Sequence, residues 1–122
     1  MERIKLSHGM TVEGNLDLTG RHGLTRLPED LTVKGYMSCS GCLNLKRLPT
    51  NLRVNGSLSL LGCKRLESME PVAVGGGVYV DVDLIKRTPQ EILPLLIGMN
   101  FHNSNGVSIS QLIERLLRGE TE

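Results

Sequence analysis

The feature of this sequence that most limits its fold is an internal repeat of 21 residues, which becomes visible when the chain is aligned with itself. Six columns of apolar residues or glycine agree over four units, with a one-residue deletion in the last unit. Four of these columns are Leu6, Leu27, Leu48 and Met69; Val12, Val33, Val54 and Val74; Gly14, Gly35, Gly56 and Gly76; and Leu18, Cys39, Leu60 and Val80. A unit this short cannot bury its own apolar face, and such units therefore stack. The repeat predicts four stacked coils.

Each unit contains two short segments in which apolar and polar residues alternate, such as Leu52-Arg-Val54 and Leu58-Ser-Leu60. Alternation with period two places the apolar side chains on one face of a strand. The glycine column separates the two segments, where the backbone needs either a positive φ or a close approach to the next unit. The sequence therefore predicts two strands per unit, hydrogen bonded from one unit to the next.

These units resemble leucine-rich repeats of the bacterial effector and phage type, which read roughly G-x-L-x-L-x-G-C-x-x-L-x-x-L-P. The resemblance is carried by residues 35–49 and 56–69 and covers about residues 6 to 88. It implies a short parallel β-solenoid in which the outer face of one strand per unit is the usual binding surface. The additional Leu52-x-Val54 segment leaves both a curved and a straight stack open.

The segment after the repeat predicts a different structure. Thr88-Pro89-Gln90-Glu91 has the pattern of a helix N-terminus, while Pro94 shortens the helix and Gly98 ends it. Residues 100–106 are expected to form a polar turn. A second helix is expected, with Ser108 and Gln111 as its capping box and Gly119 at its end. Its apolar stripe consists of Ile109, Leu112, Ile113, Leu116 and Leu117. This stripe predicts either a cap on the last coil or, in addition, a homodimer contact.

The sequence thus predicts an α+β repeat fold: a leucine-rich-repeat-like stack of four coils (residues 1–88) with a C-terminal two-helix cap (residues 89–122). The chain carries 14 Lys and Arg against 13 Asp and Glu, and this balance does not indicate a polyanionic partner. No segment is long and apolar enough for a membrane span or a signal peptide. We therefore expect a cytoplasmic protein, or one exported into a host cell without a cleavable signal.

Chemistry-bearing residues give weak signals. Cys39-Ser-Gly-Cys42 has the spacing of zinc and redox sites, with Cys63 as a third thiol. However, Cys39 belongs to an inward column and Cys42 aligns with Cys63, which favours packing in the core. The histidines are scattered, and no serine lies beside a base. We expect no metal, no cofactor and no enzymatic activity.

Two surfaces are candidate binding sites. The outer side of the second strand of each unit carries both tyrosines among small hydroxyl residues, and tyrosine is enriched at interface hot spots. We call this set the strand face: Tyr36, Ser38, Ser57, Ser59, Leu61, Tyr79 and Asp81. The second surface is a basic ridge, made by Arg26, Lys46, Arg47, Lys64, Arg65, Lys86 and Arg87. Such a row is either a solvated face or a surface for phosphate.

The sequence therefore predicts a non-enzymatic protein-interaction module. By its resemblance, the chain is expected to act as a bacterial effector or a phage inhibitor that occludes a partner protein. The alternative is a nucleic-acid-binding protein that uses the basic ridge.

Overall fold

The computed structural model of the chain describes residues 6–119. Within this range it contains nine two-residue strands, two α-helices and one 3-10 helix. The strands are β1 Thr11–Val12, β2 Leu16–Asp17, β3 Thr32–Val33, β4 Met37–Ser38, β5 Arg53–Val54, β6 Leu58–Ser59, β7 Ala73–Val74, β8 Val78–Tyr79 and β9 Phe101–His102. The helices are α1 Val82–Arg87, the 3-10 helix Leu93–Leu96 and α2 Ser110–Leu117. The predicted α+β composition, with two strands per unit, is confirmed.

The strands form two parallel sheets. β1, β3, β5 and β7 make the first sheet, and β2, β4, β6, β8 and β9 make the second sheet, in those orders. Val12 pairs with Val33, and Val33 pairs with Val54, which reproduces the offset of 21 residues. The deletion is absorbed between the third and fourth units, because Val54 pairs with Val74. The repeat in the sequence is therefore a ladder of backbone hydrogen bonds from unit to unit.

The core is built from the repeated apolar columns. Leu18, Cys39, Leu60 and Val80 occupy one inward column, and each is at most 1% exposed. Among the buried apolar residues of the described chain, Phe101 is the one aromatic, and it is fully buried. Since the two strands of each unit turn their apolar sides inward, stacking the units produces one continuous core.

The glycine column is explained by close backbone approach. A Cβ atom on Gly56 would lie 3.0 Å from the carbonyl group of Gly35, one unit earlier. Positive φ occurs instead in a second glycine column, with values of +73° at Gly41 and +76° at Gly62. The first column therefore lets neighbouring units approach, and the second supplies a left-handed turn.

The helix predicted to begin at Thr88 is wrong in both position and type. α1 begins at Val82 and ends at Arg87, with Thr88 as its C-terminal capping residue. The Thr88 hydroxyl donates to the Leu84 carbonyl at 2.8 Å and accepts the Met69 N–H at 2.9 Å. The apolar run that follows forms only a short 3-10 helix with a proline in its first turn. Pro94 lacks the N–H that continued helical bonding would need.

The polar turn predicted over residues 100–106 begins with a strand. β9 pairs with β8, and Val78 is the partner of Phe101. The outer edge of β9 is closed by the following segment: Ser110 Oγ accepts the Phe101 N–H at 3.2 Å, and the Ile109 N–H donates to the Phe101 carbonyl at 2.9 Å. The second sheet therefore gains a fifth strand, whose outer edge has one side-chain and one backbone hydrogen-bond partner.

The second predicted helix is present but starts one residue later than expected. Ser108 does not cap it; Ser108 instead forms an antiparallel bridge with His102, and Ile109 is the N-terminal capping residue. Ile113 is buried, and the half-buried Leu112 and Leu116 pack against the core. Gly119, with φ of +79°, ends the helix as expected. None of the helices within residues 6–119 has the length and hydropathy needed to cross a membrane.

Candidate functional site

The strand face lies on the outer side of the second sheet. Leu58 of β6 points into the core, so its neighbour Ser59 points outward, in the same row as Ser38 and Tyr79. Two flanking rows contain the remaining predicted residues. One holds Asn15, Tyr36, Ser57 and Gly77, and the other holds Thr19, Ser40, Leu61 and Asp81. The structure therefore brings all seven predicted residues to one side of one sheet.

The hydroxyl groups of this surface bond to one another across the units. Thr19 Oγ1 and Ser38 Oγ are 2.7 Å apart, and Ser40 Oγ and Ser59 Oγ are also 2.7 Å apart. Ser38 Oγ donates to Ser40 Oγ at 3.4 Å and connects the two pairs. This chain of hydroxyls holds the serines in place and satisfies much of their hydrogen-bonding capacity. The groups left to contact a partner are mainly apolar and aromatic.

The two tyrosines have different surroundings. Tyr36 is 47% exposed, which is high for so large a side chain, and its backbone N–H is held by Asn15 Oδ1 at 2.9 Å. Tyr79 is half-buried and stacks on His102, with ring centroids 5.1 Å apart and an angle of 24° between the planes. Tyr36 is therefore the most accessible aromatic contact on the strand face.

Sequence reasoning did not include His102 in this surface. His102 continues the row of Ser38, Ser59 and Tyr79, but it lies on β9, outside the 21-residue repeat. Its Nδ1 atom is buried and has no hydrogen-bond partner among the described residues. The one available signal was the alternation of Phe101 and His102, which is too short to identify a strand.

The polar members of the strand face also support the backbone. Asp81 Oδ2 accepts the Gly62 N–H at 2.9 Å, and Ser57 Oγ accepts the Gly77 N–H at 3.3 Å. In the first unit, hydrogen bonds from the side chain and the backbone of Thr19 lower the pKa of Asp17. These polar groups are therefore part of the rigid support beneath the exposed residues.

All seven residues of the basic ridge are exposed, but they do not form one row. The backbone of Lys46 pairs with the equivalent residues of the two neighbouring units. Its N–H donates to the Thr25 carbonyl at 3.4 Å, and its carbonyl accepts the Glu67 N–H at 3.0 Å. Asn44 is the equivalent of Arg65 in the preceding unit, and Arg65 Nη1 donates to Asn44 Oδ1 at 3.1 Å. Arg26 and Arg47 share one repeat position, whereas the other lysines and arginines of the ridge occupy different repeat positions in successive units.

Five of the seven basic residues line two separate grooves, and Arg65 and Lys86 line neither. Arg26, Lys46 and Arg47 line a groove of about 570 Å³ that also contains Glu29 and Glu70. Lys64 and Arg87 line a smaller groove of about 240 Å³, where they face Asp81 and Asp83. The predicted ridge is thus divided into two clusters, each with its own carboxylates.

The cysteines lie in the core, as predicted. The thiol of Cys42 donates to the Leu18 carbonyl at 3.1 Å, and that of Cys63 donates to the Cys39 carbonyl at 3.0 Å. A hydrogen bond with Cys42, together with burial, raises the pKa of Cys39, and burial raises the pKa of Cys63 to about 11. The hydrogen bond with Cys39 lowers the pKa of Cys42 to about 7. Of the three thiols, Cys39 and Cys63 are therefore held protonated, and buried, protonated thiols make poor nucleophiles. Nowhere in residues 6–119 do three His, Cys, Asp or Glu side chains come together as a possible metal site.

Comparison of the chain with protein-family models, with curated proteins and with solved structures found no match. A functional assignment therefore depends on the surfaces described above.

Proposed function

We propose that this chain is a non-enzymatic protein-interaction module, a short leucine-rich-repeat-like solenoid of four coils with a C-terminal helical cap. Support for the solenoid comes from the in-register parallel pairing of strands one repeat apart in both sheets. The strand face is the surface that binds the partner protein.

The observation that carries this proposal is the exposure of Tyr36 on a rigid polar surface. Tyr36 is 47% exposed, and the serines beside it are held by hydrogen bonds between units. A partner that binds here orders few groups that were free before, so little conformational entropy is lost. Tyrosine adds a large contact area with only two side-chain torsions to fix.

The resemblance to effector and phage repeats suggests what such binding achieves. A small rigid module inhibits a larger protein by covering a surface that the larger protein needs. We propose this mode of action, in the cytoplasm or inside a host cell, by analogy between folds.

The experiment that tests the proposal is affinity capture from a lysate of the native host, performed with matched variants. Tyr36→Ala is expected to lose the captured protein, since it removes the main exposed contact of the strand face. Leu43→Ala is the control, because Leu43 is a comparably exposed apolar residue outside the strand face. Equal capture by Tyr36→Ala, Leu43→Ala and the wild type would refute the proposal.

A second candidate function is binding to nucleic acid. The observation that favours it is the exposure of all seven basic residues, three of which line one groove. Binding of this kind would weaken steeply with salt, because each phosphate contact releases counterions. Titration of a labelled DNA or RNA duplex at two salt concentrations separates it from protein binding.

A further inference from the structure

The larger basic groove lies at the corners of two neighbouring units. Its apolar lining residues are Leu27, Leu48 and Pro49, which belong to the Leu-Pro corners of the two units. Its volume of about 570 Å³ lies within the range of natural ligand clefts. The groove is therefore larger than a single inorganic ion requires.

Three cations line this groove. Arg26 and Arg47 occupy the same repeat position in consecutive units, so their backbones are separated by about 4.8 Å, the spacing of adjacent strands. Lys46, next to Arg47 in the chain, also lines the groove. Within residues 6–119, the side chains of Arg26 and Lys46 have neither an ion pair nor a hydrogen bond. Two of the three cations are therefore available to a ligand.

The carboxylates of the groove are already engaged. Glu29 Oε2 accepts the Thr50 N–H at 2.6 Å, which fixes it to the backbone. Glu70 pairs with Arg47 at 3.7 Å, but the Arg47 side chain is 74% exposed. An ion pair so exposed contributes little, and an incoming anion can replace Glu70. Glu70 therefore acts as a weak internal competitor for the third cation.

We infer that this groove binds an acidic segment of the partner protein, with two or three carboxylates placed against Arg26, Lys46 and Arg47. The inference rests on the proposed function and adds a second contact, separate from the strand face. Charge complementarity of this kind contributes mainly to specificity and association rate.

The features of the groove favour a peptide over nucleic acid. No aromatic side chain lines the groove, so bases have no surface on which to stack. In the next unit, Glu67 and Ser68 occupy the repeat positions of Lys46 and Arg47, so the cationic row ends there. A short run of carboxylates matches this limited cluster better than a polyanion does.

The test uses a fluorescein-labelled octapeptide of glutamate, followed by fluorescence anisotropy at low salt, with the glutamine octapeptide as the uncharged control. The full chain is expected to bind the glutamate peptide and not the glutamine peptide. Arg26→Gln with Lys46→Gln should weaken binding by at least about tenfold. The matched pair Lys64→Gln with Lys86→Gln removes the same charge outside the groove and should leave binding within about twofold.

The Glu70→Gln variant should change the affinity for the glutamate peptide in the opposite direction. Removal of the competing carboxylate frees Arg47, so this variant should bind the glutamate peptide more tightly than the wild type. Thermal melting of every variant verifies that the fold is kept.

Three results would overturn the inference: no binding of the glutamate peptide, equal loss in the two double variants, or tighter binding of a DNA duplex of matched charge through the same residues. None of these three results depends on whether the strand face binds a partner. If the glutamate peptide fails to bind while Tyr36→Ala still loses the captured partner, the groove inference falls and the proposed function stands. If the peptide binds as expected and Tyr36→Ala captures the partner normally, the groove is a binding site and the strand-face proposal falls.

Discussion

At the scale of single residues, alternation along a strand decides which side chains support the fold and which contact the surroundings. Leu58 is fully buried, while its neighbour Ser59 is half-buried and shares a hydrogen bond with Ser40 at 2.7 Å. A shift of one residue in register would exchange the two environments.

Leu58→Ala is expected to lower the free energy of unfolding by about 2 to 5 kcal/mol, because it leaves a cavity in a stacked column. Ser59→Ala should cost about 1 kcal/mol, the value of one hydrogen bond. Urea unfolding of both variants measures the difference. Similar losses would contradict the inward and outward assignment of β6.

The buried thiols give the chain a specific sensitivity to alkaline pH. Burial raises the pKa of Cys63 to about 11, whereas an exposed thiol in the unfolded chain ionises near 9. Between these values the unfolded state releases a proton that the native state keeps, so the stability falls as the pH rises.

Cys63→Ser keeps a donor toward the Cys39 carbonyl but does not ionise in this range. Relative to this variant, the wild type should lose at most about 3 kcal/mol of stability between pH 9 and pH 11. Urea unfolding across that range measures the two profiles. Parallel profiles would show that the Cys63 thiol is not held protonated.

At the scale of elements, the repeat made the first eight strands predictable, because each has equivalents one unit away. β9 lacked this signal: Phe101 is alone in a polar segment, and only pairing with β8 makes it a strand. α1 was missed because residues 82–87 lie within the part of the chain that was assigned to the repeat. The seven basic residues were predicted as one ridge, but residues at different repeat positions do not stack in one row.

The two predicted capping sequences failed because tertiary contacts used the same side chains differently. Thr88 ends α1 and ties it to Met69, and Ser108 pairs with His102 instead of capping α2. In both cases the local sequence is compatible with a helix N-terminus, but contacts with neighbouring segments give the residue a different role.

Thr88→Val tests this account of the α1 terminus. The variant keeps the side-chain shape but leaves the buried Met69 N–H without its acceptor, so it should cost about 1 to 3 kcal/mol. Ser108→Ala is the control, and it should cost less than about 0.5 kcal/mol because the exposed Ser108 side chain caps no helix. Chemical unfolding of both compares them directly, and an equal cost would restore Ser108 as a capping residue.

At the scale of the whole molecule, the C-terminal segment closes the last strand of the second sheet. Ile109 and Ser110 satisfy the outer edge of β9, and Ile113 is buried in the core. Leu112 and Leu116 also pack against this core, which favours a capping role for α2. Pairing of α2 with a second protomer stays a prediction.

Deletion of residues 108–122 should therefore cause aggregation or loss of folding, because it exposes apolar surface and an unpaired strand edge. Sedimentation and thermal melting measure both effects. A monodisperse truncated chain that melts cooperatively would contradict the capping role.

The central claim is that the strand face binds a protein, and the affinity of the captured partner for two variants tests it most directly. By isothermal titration calorimetry, Tyr36→Ala should weaken binding by at least about fivefold, or roughly 1 kcal/mol, with the melting temperature nearly unchanged. Lys64→Glu with Arg65→Glu, on the basic side and outside the larger groove, should leave the affinity unchanged. The opposite pattern, with normal binding by Tyr36→Ala and a salt-dependent loss in the charge-reversed variant, would contradict the account.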